Sequence, residues 1–131
     1  MRLPDWPQRL AAKVEEWRFR PFKYGETDCL QFAAEAVEAV TGVDHRQAFP
    51  RYASEMQAGR ILVRCRGVDG LITSVLGPAK PPAMAGRGDL VMGDFGNGLT
   101  AGVCVGVHCC SPGERGLEFR PTRTVISAWS V

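Results

Sequence analysis

The chain has 131 residues, enough for one domain with a hydrophobic core and too few for two comfortable domains. Its 45% hydrophobic and 23% charged residues are typical of a globular protein, and 16 basic against 14 acidic residues leave a net charge of +2. The arginines are spread along the chain, which argues against a nucleic-acid partner. The apolar runs are too short to span a bilayer, and the N-terminus lacks the apolar stretch of a signal peptide. We therefore expect synthesis in the cytoplasm, with no membrane span.

The segment from Leu3 to Phe22 predicts a first helix. Leu10, Val14 and Trp17 recur at spacings of four and three, which places them on one apolar face. Asp5 can cap the start of this helix, and a proline near residue 21 ends it.

A second helix is predicted to begin in the stretch "YGETDC", residues 24–29, and to end at Gly42. Thr27 is the expected N-cap residue, and Asp28 places a favourable negative charge in the first turn. The positions that follow form a wide apolar face, which is typical of a central helix. These positions are Leu30, Phe32, Ala33, Ala34, Val37 and Val40.

Two further helices are predicted before residue 78. Residues 43–52 are expected to form a loop with one helical turn, and residues 53–65 a third helix that Gly59 weakens. A short fourth helix is expected between Gly67 and Gly77.

The second half of the chain predicts β-strands. After a connector rich in proline and glycine come four short segments rich in Val, Ile and Phe, at residues 89–95, 99–109, 116–122 and 124–131. Turn signals at residues 96–98 and 111–116 separate them. Helices followed by antiparallel strands predict an α+β fold, and the absence of a long linker predicts a single domain over residues 1–131.

The five cysteines, at positions 29, 65, 104, 109 and 110, match no C-x-x-C pattern. We expect reduced thiols, no bound metal and no cofactor. One alternative remains open, in which Cys104, Cys109, Cys110 and His108 form a metal cluster. The favoured interpretation is that these cysteines are small buried residues on strands.

Cys29 lies where a nucleophile could be activated. The free N–H groups and the dipole at a helix N-terminus favour a thiolate, and the same N–H groups could bind a developing oxyanion. The alternative is that Cys29 is only a packed side chain.

Three motifs carry a resemblance to a known family: "YGETDC" at residues 24–29, "GDL" at residues 88–90 and "TAGVCVG" at residues 100–106. Their order and spacing resemble the NlpC/P60 superfamily of papain-like cysteine peptidases. More closely, the chain resembles a compact branch of small phage proteins encoded with tail genes, the DUF6950 family of unknown function. The resemblance implies a papain-like fold, with the central helix packed on a C-terminal antiparallel sheet and Cys29 at the nucleophile's position.

The resemblance places Thr100 where the family has its catalytic histidine, and a threonine hydroxyl cannot act as a general base near neutral pH. Two histidines remain. His45 is expected ~24 Å from Cys29 along the helix, at ~1.5 Å per residue. His108 would lie ~27 Å from Thr100 along a straight strand at ~3.3 Å per residue, although a bend at Gly106 could shorten this distance. His108 is therefore the better candidate base.

The resemblance suggests a phage tail protein, acting at the tail tip or in tail assembly, whose Cys-His dyad is incomplete. Its expected partners are other tail proteins, namely hub or distal-tail components, and its expected location is the virion. The alternative is an active cysteine peptidase or amidase that cleaves cell-wall peptides with Cys29 as nucleophile. Tyr24, Asp28 and Thr100 are candidate residues of the cleft in either case.

Overall fold

The computed structural model describes residues 1–48, 52–64, 66–96 and 98–131. Within this part of the chain, four helices precede a five-stranded antiparallel sheet, which confirms the predicted α+β class. The helices are α1 (Trp6–Trp17), α2 (Cys29–Thr41), α3 (Glu55–Arg64) and α4 (Gly67–Leu76). The strands are β1 (Leu90–Asp94), β2 (Leu99–Cys104), β3 (His108–Gly113), β4 (Gly116–Pro121) and β5 (Ser127–Trp129). None of the described helices combines the length and apolar character needed to cross a membrane.

The cap of α2 differs from the prediction by one residue. Asp28, not Thr27, is the N-cap, and its carboxylate accepts a hydrogen bond from the backbone N–H of Gln31 at 3.0 Å. Thr27 instead donates its hydroxyl to the carbonyl of Pro21 at 2.6 Å. The threonine is thus occupied in closing the preceding loop, which leaves the carboxylate to cap the helix.

Asp5 occupies the N-cap position of α1 but does not cap it through its side chain. Its carboxylate accepts a hydrogen bond from Arg9 at 2.9 Å, one turn further along the helix. The capping function predicted for Asp5 is therefore wrong, because an ion pair at the i,i+4 spacing holds the carboxylate.

Two helices, α2 and α4, end at the glycines that the sequence predicts as their C-terminal stops. Gly42, at φ +81°, ends α2 in the left-handed conformation that glycine adopts most readily. Gly77 likewise follows the last residue of α4. The single turn expected in the loop is present as a 3₁₀ turn at Arg46–Ala48. Residues 49–51 and position 65, the predicted end of the third helix, lie outside the described residues.

The strand order in the sheet is β4-β3-β2-β1-β5. The predicted segment 99–109 is two strands, because the chain reverses at Gly106 and Val107 between β2 and β3. Val105 donates its backbone N–H to the carbonyl of His108 at 2.9 Å across this two-residue turn. The second turn is shorter than predicted and is confined to residues 114–115, between β3 and β4.

Each face of the sheet carries a core. On one face α2 packs against β2 and β3, α4 packs against β2 and β5, and α1 and α3 pack on α2 and α4 respectively. The largest buried side chains of this core include Trp17, Phe32 and Trp129. A smaller core covers the other face and comprises Val91, Phe95, Cys104, Cys109, Val125 and Ala128.

The buried Asp89, directly before β1, joins distant parts of the chain. Its carboxylate forms ion pairs with Arg2 at 3.1 Å and Lys80 at 2.7 Å. It also accepts hydrogen bonds from the backbone N–H groups of Gly86 at 2.9 Å and Val131 at 3.2 Å. The side chain is thus fully satisfied and links the N-terminal segment, the connector and the C-terminal residue.

Candidate functional site

The loop before α2 fixes the position of Cys29. Asp28 is 3% exposed, and besides its cap bond it accepts a hydrogen bond from the backbone N–H of Gly25 at 2.7 Å. Its carboxylate also accepts a hydrogen bond from the hydroxyl of Tyr52. Gly25 has φ +78°, and a Cβ atom there would collide with the carbonyl of Tyr52. Only glycine fits this turn, so the "YG" of the sequence motif has a steric cause.

Cys29 meets β2 where the pairing between β2 and β3 stops. The pairing includes Val103 with Cys110 but does not extend to Ala101, although β2 remains paired with β1 as far as Leu99. The Ala101 N–H instead donates a hydrogen bond to the Cys29 sulfur. The hydroxyl of Ser111 on β3 donates a hydrogen bond to the carbonyl of the same residue, Ala101, at 2.7 Å.

The Cys29 thiol is protonated at neutral pH. Burial raises its pKa to about 11, and the negative charge of Asp28 adds to this effect. The backbone N–H groups of Ala101, Cys29 and Leu30 favour the thiolate and lower the pKa, but they are outweighed. The activation expected from the helix N-terminus is therefore not achieved, because desolvation and a neighbouring carboxylate oppose it.

Two tyrosines complete the surroundings of Cys29. Burial raises the pKa of Tyr24, as do the nearby charges of Glu55, Cys29 and Asp28. Burial is also the main reason that the pKa of Tyr52 is raised, followed by its hydrogen bond with Asp28. Both phenols stay protonated at neutral pH, so they can donate hydrogen bonds to a bound group but cannot remove the thiol proton.

Thr100 does not face Cys29, because it alternates with Ala101 along β2 and its side chain therefore lies on the opposite face of the sheet. Its hydroxyl is 3.5 Å from the hydroxyl of Ser111 on β3. The residue at which the resemblance puts an imidazole is thus paired with Ser111, away from the thiol. Neither hydroxyl ionises near neutral pH, so this pair offers hydrogen bonds and no proton acceptor of useful strength.

The structure brings neither histidine to Cys29. His108 is the exposed first residue of β3, opposite Val105, four residues along β2 from Ala101. At ~3.4 Å per residue this is a separation of ~14 Å from the thiol's contact on β2. His45 follows the C-terminus of α2, and the thirteen residues of that helix span ~20 Å at ~1.5 Å per residue.

The cysteines on β2 and β3 do not converge as the possible metal cluster requires. Cys104 and Cys109 belong to the smaller core, whereas Cys110 faces the helices on the other side of the sheet. His108 is exposed. Among the residues that the structure describes, no group of three or more side chains is arranged to ligate a metal ion.

Sequence reasoning identified Tyr24, Asp28 and Cys29, which the structure brings together, but missed Tyr52 and Ser111. Tyr52 carries no signal in the local sequence that marks it as part of a site. Ser111 lies in a stretch that resembles a turn because Pro112 and Gly113 follow it.

The fold and site define a small α+β domain whose central helix begins with a cysteine held against the sheet. A family model described as a domain of unknown function, DUF6950, matches residues 1–131. The chain therefore belongs to the DUF6950 family. Neither the curated proteins nor the solved structures contain a significant match to it.

Proposed function

We propose that this protein is a phage tail component, acting at the tail tip or in tail assembly, on an NlpC/P60-like scaffold with an incomplete Cys-His dyad. The observation that carries the proposal is the state of Cys29. The residue begins the central helix, where the resemblance puts a nucleophile, yet its pKa of about 11 keeps it protonated. Both histidines of the chain lie elsewhere. A scaffold that retains the site without its base is better suited to binding than to hydrolysis.

A surface on α3 supports a role in protein contacts. Met56, Arg60 and Val63 recur at spacings of four and three on one exposed face, which we call the α3 stripe. The two apolar side chains are 68% and 82% exposed. Exposed apolar groups that share a face are typical of binding surfaces. Hub or distal-tail proteins of the same virion are the proposed partners.

Co-purification tests this proposal. The protein is co-expressed with candidate hub and distal-tail proteins of a phage tail, and we expect it to bind at least one of them. Val63→Glu should abolish this binding. Val107→Glu is the matched control, since Val107 is equally exposed, at 81%, but lies on the β2–β3 turn. Failure of the wild-type protein to bind any tail protein would overturn the proposal.

Alkylation tests the state of Cys29 independently of any partner. Iodoacetamide reacts with thiolates, so we expect little labelling of Cys29 at pH 6 and a rise in rate as the pH approaches 11. The adduct is located by mass spectrometry. Preferential labelling of Cys29 at pH 6 would show an activated thiolate and would contradict the proposal.

One observation favours the second candidate, a cysteine peptidase or amidase that acts on cell-wall peptides. The backbone N–H groups of Cys29, Leu30 and Ala101 favour a negative charge on the sulfur, and donors of this kind could also stabilise an oxyanion. Cleavage of wall peptides by the wild-type protein and not by Cys29→Ala would establish this activity. Equal turnover by the two proteins, or none, would exclude Cys29 as a nucleophile.

A further inference from the structure

Cys104 and Cys109 face each other across β2 and β3, next to the turn that joins these strands. Val105 and His108 form the hydrogen-bonded pair that closes the turn, so the cysteines occupy the following, non-hydrogen-bonded position. Cα atoms in such pairs lie ~4.5 Å apart. A disulfide spans Cα separations of ~4.4–6.8 Å. The backbone therefore allows these two residues to be bridged without movement of the strands.

The side chains of the pair already share contacts. The hydroxyl of Thr122 is 3.4 Å from the Cys109 sulfur and 3.8 Å from the Cys104 sulfur, and it donates a hydrogen bond to the Gly106 carbonyl at 2.6 Å. The thiol of Cys109 also forms a hydrogen bond with the sulfur of Cys104. This bond between the two cysteines lowers the pKa of Cys104 and raises the pKa of Cys109. One sulfur can therefore carry negative charge while the other keeps its proton.

We propose that Cys104 and Cys109 are a covalent modification site, which closes to an intramolecular disulfide on reaction with a small disulfide oxidant such as glutathione disulfide. The Cys104 thiolate attacks the oxidant and releases one thiolate, leaving a mixed disulfide on Cys104. Cys109 then loses its proton, attacks the Cys104 sulfur and displaces the second thiolate. Two protein thiols become one disulfide, and the oxidant is reduced to two thiols. This inference does not depend on the proposed function.

The position of the pair in the fold sets both its access and its selectivity. Both sulfurs belong to residues that are fully buried, but the adjoining turn at Gly106 and Val107 is exposed. Attack on an external oxidant therefore requires the end of this hairpin to open. Cys110 neighbours Cys109 in sequence but faces the opposite core, so it cannot compete for the same partner in the folded protein.

The test counts alkylated cysteines in one tryptic peptide. Residues 88–115 form a peptide that contains Cys104, Cys109 and Cys110 and no other cysteine. The folded protein is equilibrated with glutathione disulfide, then denatured, alkylated and digested. We expect this peptide to change from three alkyl groups to one, with the mass of an internal disulfide. Three alkyl groups after oxidation would overturn the proposal.

Variants identify the bridge. Cys110→Ala keeps both proposed partners, so its peptide should change from two alkyl groups to none. Cys104→Ser should keep two alkyl groups, provided that circular dichroism shows it to be folded; loss of both would reveal a Cys109–Cys110 bridge and contradict the proposal. Because Cys110→Ala decides the matter alone, an unfolded Cys104→Ser leaves the test intact. In urea the preference for the Cys104–Cys109 bridge should disappear, and its persistence there would show that the fold does not create it.

Discussion

The Cys29 thiol shows how local electrostatics can be reversed by packing. The backbone N–H groups of Cys29 and Leu30 favour the thiolate, as the helix N-terminus predicts, and that of Ala101 on β2 adds to them. Burial against β2 and the carboxylate of Asp28 favour the thiol more strongly. The motif could be read from the sequence. The balance between the groups that raise the pKa of Cys29 and those that lower it could not, because it depends on packing against β2, which lies far along the chain.

Asp28→Asn should lower the pKa of Cys29. The substitution removes the negative charge that, after burial, contributes most to raising this pKa. Asparagine is also a good N-cap, so the loss of stability from the cap itself should stay below about 1 kcal/mol. We expect faster alkylation of Cys29 by iodoacetamide at pH 8. Asp44→Asn is the control, since the exposed Asp44 pairs with Arg46 beyond the far end of α2 and should leave the rate unchanged.

The raised pKa of Cys29 also predicts a dependence of stability on pH. The unfolded thiol titrates near its ordinary pKa of 9.0 and the folded thiol near 11, so the folded state holds its proton more tightly. The associated stability is complete below pH 9 and is lost as the pH rises from 9 to 11. Urea unfolding of the wild type and of Cys29→Ala across this range should show a narrowing difference in favour of the wild type. A constant difference would contradict the prediction.

At the scale of elements, glycines and apolar periodicity predicted most of the helices. α4 lies between its two glycines as expected. The β2–β3 hairpin was missed because Gly106 and Val107 interrupt an apolar run without the Asn-Gly or Asp-Gly pair typical of such turns. Pro112 was assigned to a turn but lies in β3, where its partner Leu117 is at a non-hydrogen-bonded position and the missing N–H is not needed.

Gly102 on β2 has no room for a side chain. A Cβ atom there would lie 2.7 Å from the Phe95 ring and 2.8 Å from the Cys110 carbonyl. Gly102→Ala should therefore destabilise the protein by about 1–3 kcal/mol through overpacking. Gly59→Ala is the matched control, because a Cβ atom at Gly59 would meet no neighbouring group within 4 Å. Alanine also favours the helix more than glycine does, so this substitution should stabilise α3 by up to about 1 kcal/mol. Urea unfolding of both variants measures the two opposite shifts.

At the scale of the whole molecule, composition and element order predicted one α+β domain. The contacts of Asp89 that hold distant segments of the chain together could not be predicted from the sequence. The motif "GDL" predicted that Asp89 opens a strand, whereas the residue lies directly before β1. Its partners Arg2, Lys80 and Val131 are distant in sequence, so only the folded structure brings them together.

Asp89→Ala should weaken the entire fold. It leaves the N–H groups of Gly86 and Val131 without an acceptor and removes both ion pairs. We expect a loss of about 2 kcal/mol or more, less than the ~3–5 kcal/mol of a fully buried pair, because Arg2 and Lys80 keep partial access to water. Thermal unfolding measures the loss. Asp94→Ala, which removes an exposed aspartate from the end of β1, should change stability by much less.

The contact between Arg2 and Val131 has a consequence for how the chain could be rewired. The Arg2 Nε donates to the Val131 carbonyl at 2.9 Å, so the two ends of the described fold lie within the reach of one side chain. A short glycine-rich linker could join them, and new ends could be opened at the exposed residues Glu114 and Arg115. Such a circular permutant would begin with β4 and retain every strand pairing. It would lose only the peptide bond that links β3 to β4 through the turn. The order of these elements along the chain is therefore separable from their arrangement in space.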